Sequence, residues 1–363
     1  MKTTLWVTIV MWLLSGCAEI NEIENGKPRS NSQVTDLPEK ISNNATALIE
    51  HSDHYKIVSM AGLVNGTTWR HVANDVWVFD SRRGRWTQAP SLPVNAGRLA
   101  GTAATIGQRV IYFGGYTVAE DGSEISTPEV FAFDPAASTY QTLPNMPVPV
   151  DDTVSAIFQN RFVYLISGWH DDDNVNNVQV LDTETLTWAQ ATPYPGQSVF
   201  GHAGGLANNT LVICDGVTVK QPEDPDGRRS FSATNACFTG QIDSVDPVRI
   251  NWQQIAPHPG KSLYRSAATG IGDLVVFAGG SETPYNFDGI GYDQQPAQPS
   301  TRVHAWNTKT RQWISLPALA VPSMDHRNLL SRGNGDMFLI GGMGKEQTLR
   351  SAVTHYMLSP THE

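Results

Sequence analysis

Long apolar runs are scarce in this chain of 363 residues. Apart from residues 5–14, nothing approaches the roughly 20 apolar residues that a helix needs to cross a bilayer, so the rest reads as soluble. Basic residues are the minority, 25 against 35 acidic, and the formal net charge is −10. A chain with that balance has no general attraction to nucleic acid or to anionic lipid, and neither is expected as a main partner. An anionic small molecule stays open, because the charge of a site can differ from the net. Cysteine is rarer still, with Cys17, Cys214 and Cys237 alone. Cys214 and Cys237 fall on consecutive expected strands of one repeat. In an oxidising compartment they form either a disulfide or two buried thiols, and sequence leaves both open.

What is present at the start is a targeting segment. Met1-Lys2 is a short, weakly positive beginning, and residues 5–14 have the length of a signal-peptide core. The run ends in Leu14-Ser15-Gly16-Cys17, which resembles the bacterial lipobox. The resemblance implies lipidation of Cys17 with cleavage just before it; the alternative is an ordinary secretory signal with an incidental cysteine. Ala18 is not the aspartate that favours the inner membrane in that pattern. The expectation is therefore an outer-membrane lipoprotein of the bacterial cell envelope, facing the periplasm or the cell surface. Residues 1–16 are the expected signal peptide and polar residues 17–33 the tether.

Internal repetition organises the remainder. A small-residue pair closes an apolar strand six times: VSMAG at 58–62, IYFGG at 111–115, YLISG at 164–168, LVICDG at 211–216, VVFAGG at 275–280 and FLIGG at 338–342. Five pairs are followed by an acid or amide six residues before an aromatic: Asp80/Trp86, Asp134/Tyr140, Asp182/Trp188, Asp246/Trp252 and Asn307/Trp313. The aromatics stand 54, 48, 64 and 61 residues apart. One four-stranded unit per period explains this: glycine ends the second strand where no side chain fits, the acid turns the chain, and the aromatic opens the outer strand. The pattern resembles the kelch-repeat superfamily, the propellers that include galactose oxidase. It implies an all-β, six-bladed propeller over residues 34–358, followed by a short tail at 359–363. The sixth repeat lacks an outer strand, and residues 34–38 resemble the blade-ending segments. The N-terminal strand is expected to close the last blade and remove an exposed edge.

In a propeller the innermost strands line a central channel, and here each precedes a glycine-ended strand. Their entries carry Arg98, Asp151 and Asp152, His202, Tyr264 and Arg265, and His326 and Arg327. If the ring closes, these converge on one mouth, where three guanidiniums suit bidentate capture of a carboxylate or phosphate. The bland alternative is a solvated rim of mutually neutralised charges. Insertions at 169–173, 219–230 and 281–299 add Trp169, Tyr285 and Tyr292 beside acids, which suits sugar faces and hydroxyls. The triple aspartate 171–173 could hold Ca²⁺ but lacks the alternate-position ligands of an EF-hand loop, and reads rather as an acidic turn. No metal site and no cofactor is expected.

Three function classes follow. An acidic, envelope-located kelch propeller is loosely similar to the bacterial N-acetylneuraminate epimerase (sialic acid mutarotase) family. That resemblance implies a small acidic carbohydrate held by Arg98, Arg265 and Arg327, with His326, Asp151, Tyr264 and Trp169 around it. His202 with Asp152 or Glu282 would then be the acid/base groups, making the chain an isomerase. A copper oxidase is not expected, because Cys214 and Cys237 lie in apolar strands with no suitable histidine pair. The alternative is a non-catalytic lipoprotein that binds a protein partner or glycan through its loop face.

Overall fold

A four-stranded sheet with two apolar faces cannot bury itself, so each repeat must stack on its neighbours. The computed structural model describes residues 34–224 and 227–358, and there the six repeats form the six blades of a ring. Cys17, the leader, the tether and the tail lie outside the described residues. Blade 2 shows the pattern: Thr102–Ile106, Arg109–Phe113, Val130–Asp134 and Thr139–Leu143 run antiparallel from the axis outward. Its third strand is buried at four of five positions, because neighbouring blades cover both faces, whereas its outer strand is mostly exposed. That is why the middle strands read as near-continuous apolar runs.

Each outer aromatic ties its blade to the preceding one. Tyr140 Oη donates to Pro90 O, Trp188 Nε1 to Pro144 O, Trp252 Nε1 to Thr192 O and Trp313 Nε1 to Ala256 O. Trp86 Nε1 donates in the same way to Thr35 O at 2.8 Å. Thr35 therefore occupies, for blade 1, the place held elsewhere by the exit of the preceding blade's fourth strand. Blade 6 contributes only Leu330–Ser331, Asp336–Ile340 and Val353–Met357. Residues 34–37 lie along its edge, with Leu37 N–H donating to Ser351 O and with Val34 and Leu37 buried against Phe338 and Ile340. The expected closure is present, as an extended segment rather than a regular strand.

In one blade the expected turn residue is different. Four turns follow the spacing, as where Asp134 Oδ1 accepts from the N–H groups of Ala136 and Ala137. In blade 4 that role falls to Asp243, which accepts from Val245 and Asp246, so the turn acid stands nine residues before Trp252. The longer turn between Cys237–Ile242 and Ile250–Ile255 explains why the spacing pointed to Asp246. In the same blade Cys214 and Cys237 are direct cross-strand partners, 4.2 Å apart at Cα, and are joined as a disulfide.

Candidate ligand site at the mouth

A single backbone feature builds the neck of the ring. Just before each inner strand one residue adopts positive φ: Asn43 (59°), Ala100 (54°), Asp152 (46°), Gly201 (60°), Arg265 (51°) and Asp325 (66°). These residues link the blades around the axis. Asp152 N–H donates to Ala100 O, Gly201 N–H to Asp152 O, Arg265 N–H to Gly201 O and Asn43 N–H to Asp325 O. Between blades 5 and 6 the donor is His326 N–H, to Arg265 O. The remaining step uses a side chain, with Ala100 N–H donating to Asn43 Oδ1 at 2.6 Å. Gly201 alone must be glycine, since a Cβ there would lie 2.0 Å from the Tyr264 ring.

Side chains from this collar meet on the axis. Arg265 donates to Asp152 Oδ2 through Nε (3.1 Å) and Nη2 (2.5 Å), and through Nη1 to Asp325 Oδ1 at 3.2 Å. Arg327 reaches Asp152 Oδ1 at 2.8 Å and donates to Asn43 Oδ1 at 2.6 Å. All four charged side chains are at most 3% exposed. Burial pushes the Asp152 carboxyl up, but Arg265 and Arg327 outweigh it and hold it below the usual range. Beneath this quartet the channel is a narrow space of about 250 Å³, lined by small residues such as Ala47, Ala103, Gly204 and Ala268. The inner strands approach closely there, and a Cβ on Gly270 would meet Leu206 O at 1.8 Å.

Above the quartet, on the side of the long loops, lies a cavity of about 570 Å³. Asp152 and Arg265 form part of its floor, and Trp169, Phe200, Phe231 and Tyr292 part of its walls. Phe231 and Tyr292 stack at 3.9 Å, joining the insertions of blades 4 and 5. The Arg229 guanidinium sits 5.2 Å above the Trp169 ring and pairs with Asp172 at 3.4 Å. Two carboxyls face the same space. Asp151 is 2% exposed and accepts from Ser126 Oγ at 2.6 Å; burial, then the charge of Asp152, pushes its pKa well above the usual range. Glu124 is pushed up to about 7, chiefly by desolvation. Glu124 itself is exposed to solvent, at the open side of the cavity.

The expected site residues separate into two groups. Asp151, Asp152, Arg265 and Trp169 line the cavity, Arg327 joins them at the floor, and Tyr264 packs below with its ring 4.9 Å from the Arg265 guanidinium. The others face elsewhere. Arg98 stands two positions before the collar and turns outward to Thr127 Oγ1 and Glu129. His202 is buried between blades, bonded to Ile166 O at 2.8 Å, and burial lowers its pKa to about 4. His326 bonds Ser323 Oγ and is lowered to about 3 in the same way. Glu282 is half-exposed and pairs with Lys261. Of the acidic turn 171–173, Asp171 Oδ1 accepts from Ser126 N–H, and Asp172 O accepts from Gln221 and Arg229, so the turn ties three blades' loops together. Sequence reasoning passed over Glu124, Asn43 and Asp325. Glu124 lies on a hairpin, Tyr116–Val118 with Glu124–Ser126, in the blade 2 connection between Phe113 and Val130. The length of that connection was the signal available.

Comparison with known proteins agrees with this architecture. Residues 46–280 match the KLHDC2/KLHL20/DRC7 Kelch-repeats domain. The chain belongs to the kelch-repeat family. It is 26% identical over 244 residues to Kelch-like protein 15 of Homo sapiens, covering 66% of this chain and 37% of that protein. It is 24% identical to Kelch domain-containing protein 3 of Bos taurus, covering 71% of this chain and 66% of the relative. Among solved structures, that titled "Structure of YjhT" superposes with a TM-score of 0.68 at 16% identity, covering 90% of this kelch chain and 98% of the other. That likeness is one of fold.

Proposed function

We propose that the mouth cavity binds a carbohydrate, that the ligand is a small acidic sugar, and that the protein interconverts its anomers as an N-acetylneuraminate epimerase would. The observation that carries this reading is one aromatic-walled cavity holding two carboxyls, Asp151 and Glu124, whose pKa values are both raised. Aromatic faces pack against the C–H face of a pyranose, and a few convergent polar groups set its orientation. Asp151, its pKa raised by burial, repels an anionic ligand less than an ordinary carboxylate would. The Arg265 and Arg327 guanidiniums are already neutralised by the buried Asp152 and Asp325, so the sugar's carboxylate pairs at the rim with Arg228 and with Arg229, whose partner Asp172 is solvent-exposed. The ligand sits above the floor, not within the narrow channel.

Calorimetric titration with N-acetylneuraminate tests this. Arg229→Gln should weaken binding about tenfold or more, as expected for loss of a charge-assisted contact. The methyl ester of the sugar should bind both proteins alike. Equal affinity of both proteins for the free acid would remove the rim arginine from the reading. The envelope address rests on residues 1–17; Cys17→Ser should release the chain from the membrane fraction, and retention there would contradict lipid anchoring.

A second reading places a segment of a partner protein in the same mouth. It is favoured by Ile125, 60% exposed on the outer face of the hairpin that carries Glu124, an apolar side chain beside the mouth. On that reading Ile125→Ser weakens partner capture and leaves sugar titration unchanged.

A further inference from the structure

We infer that Glu124 and Asp151 are a proton-transfer pair acting on the hydroxyl and ring oxygens of a sugar bound in the mouth cavity, Glu124 as base and Asp151 as acid. The inference rests on the reading of that cavity as a sugar site. Four observations place the two groups together. Both line the cavity of about 570 Å³. Glu124 and Ser126 are alternate residues of one strand and share a face, and Ser126 Oγ contacts Asp151 Oδ2 at 2.6 Å. Asp151 is anchored by backbone pairing with Trp169, which also lines the cavity. Finally, Asp152 next to it is committed to Arg265 and Arg327, so the free acid of the Asp151/Asp152 pair is Asp151.

The chemistry balances without any further reagent. Ionised Glu124 takes the proton of the anomeric hydroxyl as the bond between the anomeric carbon and the ring oxygen breaks. The electron pair of that bond goes to the ring oxygen, which receives the Asp151 proton. The open-chain carbonyl turns over and the ring recloses by the reverse transfers, returning each proton to the carboxyl it left. General acid–base catalysis of this kind contributes about 10²–10⁴-fold.

The groups facing the pair set its pH dependence. Glu124 faces Arg265, Asp152 and Arg229; Asp151 faces Asp152, Glu124 and Arg265. With Glu124 ionising at about 7, the rate should rise as pH passes upward through that value and fall again once the raised pKa of Asp151 is passed.

The test measures anomer exchange of N-acetylneuraminate and of D-glucose by two-dimensional exchange NMR, using the full-length chain between pH 5.5 and 9. Binding is read alongside by saturation transfer. Glu124→Gln and Asp151→Asn should each lower the protein-dependent exchange of the bound sugar about 10²-fold or more while saturation transfer persists, and Glu124→Gln should also remove the rise near pH 7. Glu120→Gln, on the exposed turn of the same hairpin, should change neither. Saturation transfer without accelerated exchange, or acceleration untouched by both substitutions, overturns the pair and leaves a binding site. No saturation transfer from either sugar overturns the sugar reading and the pair with it.

Discussion

At the scale of single residues, the buried quartet and the buried histidines do different work. Removing one partner of a buried ion pair leaves an uncompensated charge, at about 3–5 kcal/mol. Arg265→Met leaves Asp152 and Asp325 sharing Arg327 as their remaining cation and should lower unfolding stability by about that amount in urea titration. A loss below about 1 kcal/mol would mean that the quartet is hydrated and screened. The histidines act through pH. Burial lowers His202 to about 4 and His304 and His326 to about 3, against 6.5 in the unfolded chain. Below about pH 6.5 the unfolded state takes up protons that the folded state refuses, so stability is lost as pH falls toward 4 and 3. Asp151 runs the other way: its raised pKa stabilises the fold below the usual carboxylate range, and that contribution is lost as pH rises through its folded value. Melting temperature followed from pH 7 to 4 should fall steeply, and His202→Gln should flatten the slope by up to one proton. An unaltered slope would show that His202 is not the group refusing the proton.

At the scale of elements, the features visible in sequence were those a propeller cannot build otherwise. The glycine pairs stand where a strand end touches the neighbouring backbone, and the outer aromatics recur because each must reach a carbonyl of the blade before it. The collar was hidden, because Asn, Ala, Asp, Gly, Arg and Asp share its positive-φ position and no residue type marks it. Distance from the glycine pair does not mark the collar either. Arg265 and Arg327 each stand 14 residues before theirs, Gly279 and Gly341, yet the longer first hairpin of blade 6 puts Arg327 two positions past the collar. Arg98 stands two positions before the collar residue of its own blade, Ala100, which is why three arginines did not converge. Within blade 4, the disulfide closes a sequence separation of 23 residues. By chain-entropy reasoning a loop of that size stabilises by about 3 kcal/mol. The Cys214→Ala/Cys237→Ala double substitution should show a loss of that order by calorimetry, and an unchanged melting temperature would mean that the bond adds nothing in solution.

At the scale of the whole molecule, closure turns six separate connections into one site. Residues 34–37 complete the ring at blade 6, and only a closed ring brings Asp152 of blade 3 to Arg265 of blade 5 and Arg327 of blade 6. That quartet divides the axis into a mouth of about 570 Å³ and a narrow lower channel of about 250 Å³. The walls of the mouth come from the insertions, where the sequence departs most from a minimal repeat, while the lower channel is lined by small residues that only allow the strands to approach. A sugar that binds the mouth of the folded ring should stabilise it by mass action, by about 2.7 kcal/mol at a hundredfold excess over its dissociation constant.

The most direct test of the mouth as the sugar site is a crystal structure of the protein grown with saturating N-acetylneuraminate. The sugar should lie above the Asp152–Arg265 floor, its ring against Trp169 and its hydroxyls within reach of Glu124 and Asp151. A sugar found below the floor, on the outer surface of the blades, or nowhere at saturation would contradict it.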